Sequence, residues 1–211
     1  MALSDAEQIF AEIYRTNAWG DSESRSGPGS SVFRTRILRP SLEGLFDDLS
    51  VRSVLDLPCG DFNWMRLIET PSIDYVGGDI VAELIRQNTA LHARPGRKFL
   101  RIDMRHDELP RVDLILCRDG LVHLSFSDIG LSLQAMKNSG STYLLATSFM
   151  AHAINEDIRT GEWRPLNLDI APFNFPAASN ALFDGPRADG TYPDKVLALY
   201  RLKSLPDRLT L

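Results

Sequence analysis

The run Val51-Arg52-Ser53-Val54-Leu55-Asp56-Leu57-Pro58-Cys59-Gly60-Asp61 constrains the fold more than any other stretch of the chain. Val51, Val54, Leu55 and Leu57 are apolar and partly β-branched, as in a buried strand. Pro58 and Gly60 then punctuate the chain. The apolar rhythm of Phe62-Asn63-Trp64-Met65-Arg66-Leu67-Ile68 predicts a helix over 63–69. A strand that passes through a tight loop into a helix cradles anions and nucleotides, because loop and first-turn N–H groups have no intrahelical partner. This strand ends in a carboxylate, Asp56, and a second apolar run over 73–78 ends in another, Asp79. In a strand–helix–strand unit, an acidic residue about 20 positions on sits at the next strand tip and accepts from a ribose.

The rest of the chain supplies more such units. Ser4 and Glu7 mark a helix start, followed by an apolar stripe, Ile9, Phe10, Ile13 and Tyr14, expected as a packing face. Residues 17–30 are Ser- and Gly-rich loop chemistry with one large aromatic, Trp19. They read as a lid, with a flexible linker as the alternative. Residues 31–46 predict a helix with a break near Pro40. Further helices are expected over 81–92 and about 127–137, the latter capped by Ser127 or Asp128. Strands are expected over 98–102, 112–117 and 142–149, and a closing hairpin over 181–183 and 195–202 around the loop 185–194. Residues 150–180 carry too much Pro, Asn and aromatic for a crossover helix. A long irregular segment of that kind is functional or disordered, and its aromatics argue against disorder.

Asp56-Leu57-Pro58-Cys59-Gly60-Asp61 resembles the first motif of class I S-adenosylmethionine-dependent methyltransferases, and Gly77-Gly78-Asp79-Ile80 resembles the second. Pro58 and Phe62 stand where the family loop has its first and third glycines; Gly60 is retained. The resemblance runs from about Val51 to Arg201. It implies an α/β fold, a Rossmann-like doubly wound seven-stranded sheet, mostly parallel with an antiparallel last strand and helices on both faces. Residues 1–50 would form N-terminal helices and a lid loop. Residues 51–211 would form the methyltransferase domain, with a substrate-side insertion at about 150–180.

The resemblance also assigns S-adenosylmethionine as cofactor. Asp56, Pro58, Cys59, Gly60 and Asp61 would form its loop, Asp79 would hold the ribose, and Ile80 would follow in the second motif. Asp103 would meet the adenine amino group and Met104 would pack on the ring. Trp19 and Ser30 lie in a segment similar to the N-terminal lids of some small members, whose hydroxyls and N–H groups would hold the amino-acid carboxylate. The loop after strand 112–117, Arg118-Asp119-Gly120-Leu121-Val122-His123, stands where the family places its reaction centre. Open parallel sheets put ligands at that switch point. Arg118 is expected to pair with Asp119 or to hold a ligand. For a hydroxyl acceptor His123 is the candidate base; for an amine, Asp119 would stabilise the developing charge. A packed histidine bonded to a backbone carbonyl is the alternative for His123. His152 is a weaker candidate base. Trp163, Arg164, Asn167 and Asn174 are the candidate substrate contacts, with packing within the insertion as the alternative. No metal-ligand cluster is apparent.

Formal net charge is -5, with no run of Lys and Arg, which disfavours nucleic acid as a partner. Cys59 and Cys117 lack metal-ligand spacing and suit reduced thiols in the cytoplasm. No signal peptide and no membrane span is expected. The reading is a methyltransferase acting on a small molecule, at oxygen or nitrogen of a metabolite, natural-product or glycan intermediate, as a monomer or homodimer. The alternatives are an NAD(P)-dependent oxidoreductase on a similar sheet and a catalytically idle cofactor-binding module.

Overall fold

A computed structural model describes residues 4–69, 72–185, 190–207 and 209. Residues 186–189, inside the loop expected to join the closing hairpin, lie outside the described residues. Helices α1 (Asp5–Thr16) and α2 (Leu38–Asp48) precede strand β1 (Ser53–Asp56). Then follow β2 (Asp74–Asp79), α3 (Ala82–His92), β3 (Arg97–Arg101), β4 (Leu114–Cys117), α4 (Phe126–Asn138), β5 (Tyr143–Phe149), β6 (Asn180–Phe183) and β7 (Lys195–Arg201). The strands form one sheet in the order β3-β2-β1-β4-β5-β7-β6. The first five are parallel, and β7 runs antiparallel to both β5 and β6. The chain reverses its winding between β1 and β4, so their carboxyl ends diverge around a crevice.

Alternation along the strands builds two cores. Leu55, Ile115, Leu144, Ala146 and Ala198 face α4, through Ile129, Leu133 and Met136. Val54, Leu114, Leu116, Leu145 and Leu197 face α2 and α3, through Leu42, Phe46, Leu84 and Ile85. A strand covered on both faces reads as a continuous apolar run, which is why β1, β4 and β5 stand out in the sequence. On the α4 face the insertion returns Leu166, Leu168, Phe173 and Phe175 to the core. It occupies the place where a crossover helix would otherwise lie.

Three expected elements differ. The helix over 63–69 is a single 3₁₀ turn, Met65–Leu67. Phe62 enters at φ 57°, and Trp64, Met65 and Ile68 are all buried, so the segment is pulled into the core rather than wound around one face. The helix over 31–46 is divided into a 3₁₀ turn, Arg34–Arg36, and α2, with Pro40 in the first turn of α2, where a missing N–H costs nothing. The cap of α4 is Ser125, whose hydroxyl accepts from the Asp128 N–H, because the helix begins earlier than its polar residues suggest.

Helix α1 begins as expected, with Ser4 Oγ accepting from the Glu7 N–H. It lies across the carboxyl edge of the sheet, from α3 to the insertion. The Tyr14 hydroxyl donates to Gln87 at 2.8 Å, and Ile9 and Ile13 pack against Gly161.

The close approach of β2 to β3 gives a test. A Cβ on Gly77 would lie 2.6 Å from the Phe99 ring and 3.1 Å from Cys59 Sγ. Gly77→Ala is expected to destabilise the chain by about 1–3 kcal/mol through overpacking, read as a fall of several degrees in thermal melting.

Candidate functional site

The crevice at the switch point opens into a cleft of roughly 1090 Å³ of empty space, part of it open to solvent. Its floor is the β1 loop, with Asp56, Pro58, Cys59, Gly60 and Asp61. Its β2–β3 side carries Asp79, Ile80, Asp103 and Met104, and its β4 side carries Arg118, Asp119 and His123. Trp19 and Ser30 come down from the N-terminal segment. The cofactor candidates and the catalytic candidates Asp119 and His123 therefore all line one cleft.

Asp56 and Asp79 are both buried at strand tips. Burial pushes Asp56 up to about 7, against the pull of a 2.6 Å bond from the Tyr75 hydroxyl and the charge of Arg118. Burial pushes Asp79 up to about 6, against backbone N–H bonds from Gly60 at 3.2 Å and Val81 at 3.0 Å. A carboxylate has about four acceptor positions, so each Asp79 oxygen keeps capacity for a further donor. Both groups are poised between charged and neutral near pH 7, and a ligand bringing hydroxyls or positive charge would favour the charged form. The donor set fits a nucleoside with a cationic tail.

The turn after β4 brings Asp119 and His123 to the same wall. Asp119 adopts φ 52° and is gripped by Lys195 at 2.7 Å, with Arg118 at 3.5 Å and the Thr147 hydroxyl at 3.3 Å. Burial raises its pKa, but Lys195 and Arg118 outweigh it and hold the carboxyl well below its usual range. His123 Nδ1 lies 2.8 Å from the Glu162 carbonyl oxygen. A carbonyl only accepts, so Nδ1 carries the proton and Nε2 is the bare nitrogen of the neutral ring. Burial lowers the His123 pKa further and favours that form. His123 is bonded to a backbone carbonyl, as its packed alternative expects, and it also lines the cleft.

Several expected roles change. Gly60, at φ 54°, leaves room for Ser26 of the lid: an added Cβ would collide with Ser26 Oγ. Asp61 anchors the lid, accepting from the Arg25 N–H at 2.7 Å and from the hydroxyls of Ser24 and Ser26. Asp103 is committed to Arg105 and His106, which occupy both of its oxygens. Burial opposes, but these bonds hold its pKa at about 2. It is therefore not free to read an adenine amino group. Arg118 pairs with Asp119 as expected, at 3.5 Å, and is in addition a strut, donating to the Gly29 carbonyl at 2.9 Å and to Asp184 at 2.9 Å.

None of the four substrate candidates lines the cleft. Arg164 is buried and donates to the carbonyls of Leu121, Leu124 and Glu156, pinning the turn that carries His123. Asn167 donates to the carbonyls of Met150 and His152. Trp163 packs edge-on to Phe149 and Tyr192. Asn174 is exposed in a turn at φ 49°. Irregular backbone has no ladder to satisfy it, so side-chain amides and guanidiniums do so instead. His152 is also outside the cleft lining.

Lys195, Asp184, Arg25 and Arg105 also belong to the cleft or its supports and carry no local signal in the sequence. Lys195 opens β7 and pairs with Phe149 at the carboxyl end of β5, so an antiparallel final strand delivers its first residue to the active edge. The hairpin expectation contained that signal. Phe10 and Tyr14, read as packing, line the cleft, and Trp19 lies 5.0 Å from the His123 ring.

The fold is that of the class I S-adenosylmethionine-dependent methyltransferases. Magnesium protoporphyrin IX methyltransferase of Synechocystis PCC 6803, solved with bound SAM, matches over 95% of this chain and 99% of its own, at TM-score 0.55 and 12% identity. The methyltransferase domain of bacterial CtHen1-C matches over 81% and 98%, at TM-score 0.57 and 12% identity. Human N-acetylserotonin methyltransferase, solved with SAM, matches over 69% of this chain at TM-score 0.50 and 18% identity, and the match spans 42% of that longer enzyme. At these identities the likeness is one of fold. No protein-family profile and no curated protein matches the sequence. Among the described residues no helix is long and apolar enough to cross a membrane.

The raised carboxyls have a measurable consequence. An unfolded Asp titrates near about 4, so the folded chain holds these protons more tightly, and these groups make stability fall as pH rises from about 4 through about 7. Asp103 acts oppositely: its stabilisation is complete above about pH 4 and is lost as pH falls toward 2. Between pH 5 and 8 the melting temperature of the ligand-free chain is expected to decline, and Asp56→Asn is expected to flatten that decline. An unchanged slope in the variant would refute the assignment.

Proposed function

We propose that the chain transfers a methyl group from S-adenosylmethionine to a hydroxyl of a small molecule, a metabolite, natural-product or glycan intermediate, with His123 as general base. The observation that carries this reading is that one cleft holds both a buried strand-tip carboxylate with spare acceptor capacity, Asp79, and a histidine whose bare ring nitrogen is fixed by a carbonyl on the far side. Asp79 takes the ribose hydroxyls. Ile80 and Met104 pack the base, with Asp103 holding the wall through Arg105. Asp56 and the loop Pro58–Gly60 face the cationic methionyl end, under Ser30 and Trp19 of the lid. When bound, the cofactor supplies a methyl group already activated by a sulfonium.

The chain's own residues then align the acceptor, exclude water and move one proton. His123 Nε2 takes the acceptor hydroxyl proton, and the Nδ1–H bond to Glu162 stabilises the imidazolium that forms. Asp119 supports that charge from the same wall. Its own charge is largely balanced by Lys195 and Arg118, which favours a hydroxyl acceptor over an amine that would need an unbalanced carboxylate. α1 and the lid close over the cleft, which favours a small acceptor. Cys59 and Cys117, buried and unbridged, accord with the cytoplasm.

Calorimetry with S-adenosylhomocysteine against NAD and NADP tests the cofactor. Saturable binding of the homocysteine product alone is expected, weakened about tenfold or more by Asp79→Asn, the scale of a lost hydrogen bond to a charged group. Binding of a nicotinamide cofactor instead would overturn the reading. Labelled-methyl transfer into a fractionated metabolite pool then identifies the acceptor. His123→Ala is expected to lower kcat by about 10²–10⁴ while product binding stays within a few fold. In the parent enzyme the rate is expected to rise with pH to a plateau, with a midpoint below the ordinary histidine value of 6.5.

A further inference from the structure

At the opposite end of the sheet, the amino ends of β1, β2 and β3 border a second groove, of roughly 1010 Å³ of empty space. Arg52, Arg94 and Arg97 line it, together with Ser72. Sequence separation hides the cluster, because its members come from the approach to β1 and from either side of the turn before β3.

The turn Arg94-Pro95-Gly96-Arg97 is built to hold two of these charges side by side. Arg94 and Arg97 exchange backbone hydrogen bonds, 3.1 Å from the Arg94 N–H and 2.8 Å from the Arg97 N–H. Pro95 sets the first corner, and Gly96 at φ 77° makes the second. Residues paired across an antiparallel bridge project to the same face, where like charges repel. Arg97 is half-buried and is fixed by stacking, its guanidinium 4.8 Å from the centroid of the Phe62 ring. Burial and the charge of Arg94 both lower its pKa, and the only opposing influence is the Tyr75 phenol. Asp74 is the one carboxylate among the lining residues, and it lies against Gly96. Arg94 and Arg97 are tied to each other through their backbones, Arg97 is half-buried, neither is in an ion pair among the described residues, and with Arg52 they bring to one groove a positive charge that an anion would balance. Guanidinium forks match phosphate oxygens in geometry as well as charge.

We infer that Arg52, Arg94 and Arg97 form a second ligand site, for a phosphate or diphosphate group carried on a small molecule, on the far side of the sheet from the cofactor cleft. The site does not depend on the methyl-transfer reading.

Pyrophosphate and inorganic phosphate are the probes, titrated by calorimetry and thermal shift against sodium chloride at matched ionic strength. Saturable binding of pyrophosphate is expected, weakened roughly tenfold or more by Arg94→Gln, the scale of one lost charge-assisted hydrogen bond. Arg94→Lys keeps the charge but loses the fork, so it should fall between the two. Arg94 and Arg52 are exposed, so neither Arg94→Gln nor Arg52→Gln should alter the ligand-free melting temperature. A pyrophosphate response no larger than that of chloride would overturn the site. So would binding that survives both glutamine variants, since the anion would then be held elsewhere.

Discussion

Two carboxylates buried at adjacent strand tips set the terms for the rest of this molecule. A buried Asp that cannot find compensation gives up its charge. Asp56 finds one phenol and a distant guanidinium, and Asp79 finds only backbone N–H groups. Among the described residues neither has a direct cationic partner. The adjacent wall is different: Asp119 and Asp184 are each met by both Arg118 and Lys195. The chain therefore has the means to neutralise acids at this edge, as Arg105 also does for Asp103, and leaves Asp56 and Asp79 without it. The uncompensated pair lies where an external cation and its hydroxyls would sit.

The balanced network has a different task. Arg118 reaches the lid at Gly29 and the end of β6 at Asp184, while Lys195 joins Asp184 to Asp119. Arg118 thus bonds both the lid and the far edge of the sheet, and Lys195 extends the same framework to Asp119. The lid has a second anchor at Asp61, through Ser24, Arg25 and Ser26. These are polar contacts around an irregular loop, the kind of contact that opens at low cost compared with a packed core. Such anchoring suits a cover that must admit a ligand and then hold it.

The sheet and its closing strand were legible because strands buried on both faces announce themselves as apolar runs, and because Asp56, Asp79 and Asp119 follow those runs directly. That the segment over 17–30 meets the cleft was foreshadowed by Trp19, which a linker has little use for. Long-range polar partners were not legible. Nothing near Asp103 in the strand pattern distinguishes an acid that reads a ligand from one that grips Arg105. Nothing in Arg164 or Asn167 distinguishes a substrate contact from a clamp on the backbone. The short turn at Met65–Leu67 was misread for a related reason: its apolar residues have helical spacing, but tertiary packing, rather than spacing, chose the conformation.

The insertion explains why those clamps are worth having. A helix after β5 would satisfy its own carbonyls through its i to i−4 bonds, leaving none free along its length to orient another side chain. The irregular path over 150–180 leaves carbonyls available and must be braced, which Arg164, Asn155 and Asn167 do. One of the carbonyls so released, that of Glu162, meets His123 Nδ1, and the Gly161 N–H donates to the His123 carbonyl at 2.8 Å. The segment thus grips His123 by both backbone and ring. That grip fixes the tautomer and turns the bare nitrogen away from the insertion. Departure from regular structure at this point is what makes a neutral, oriented imidazole possible on a wall otherwise made of strand ends.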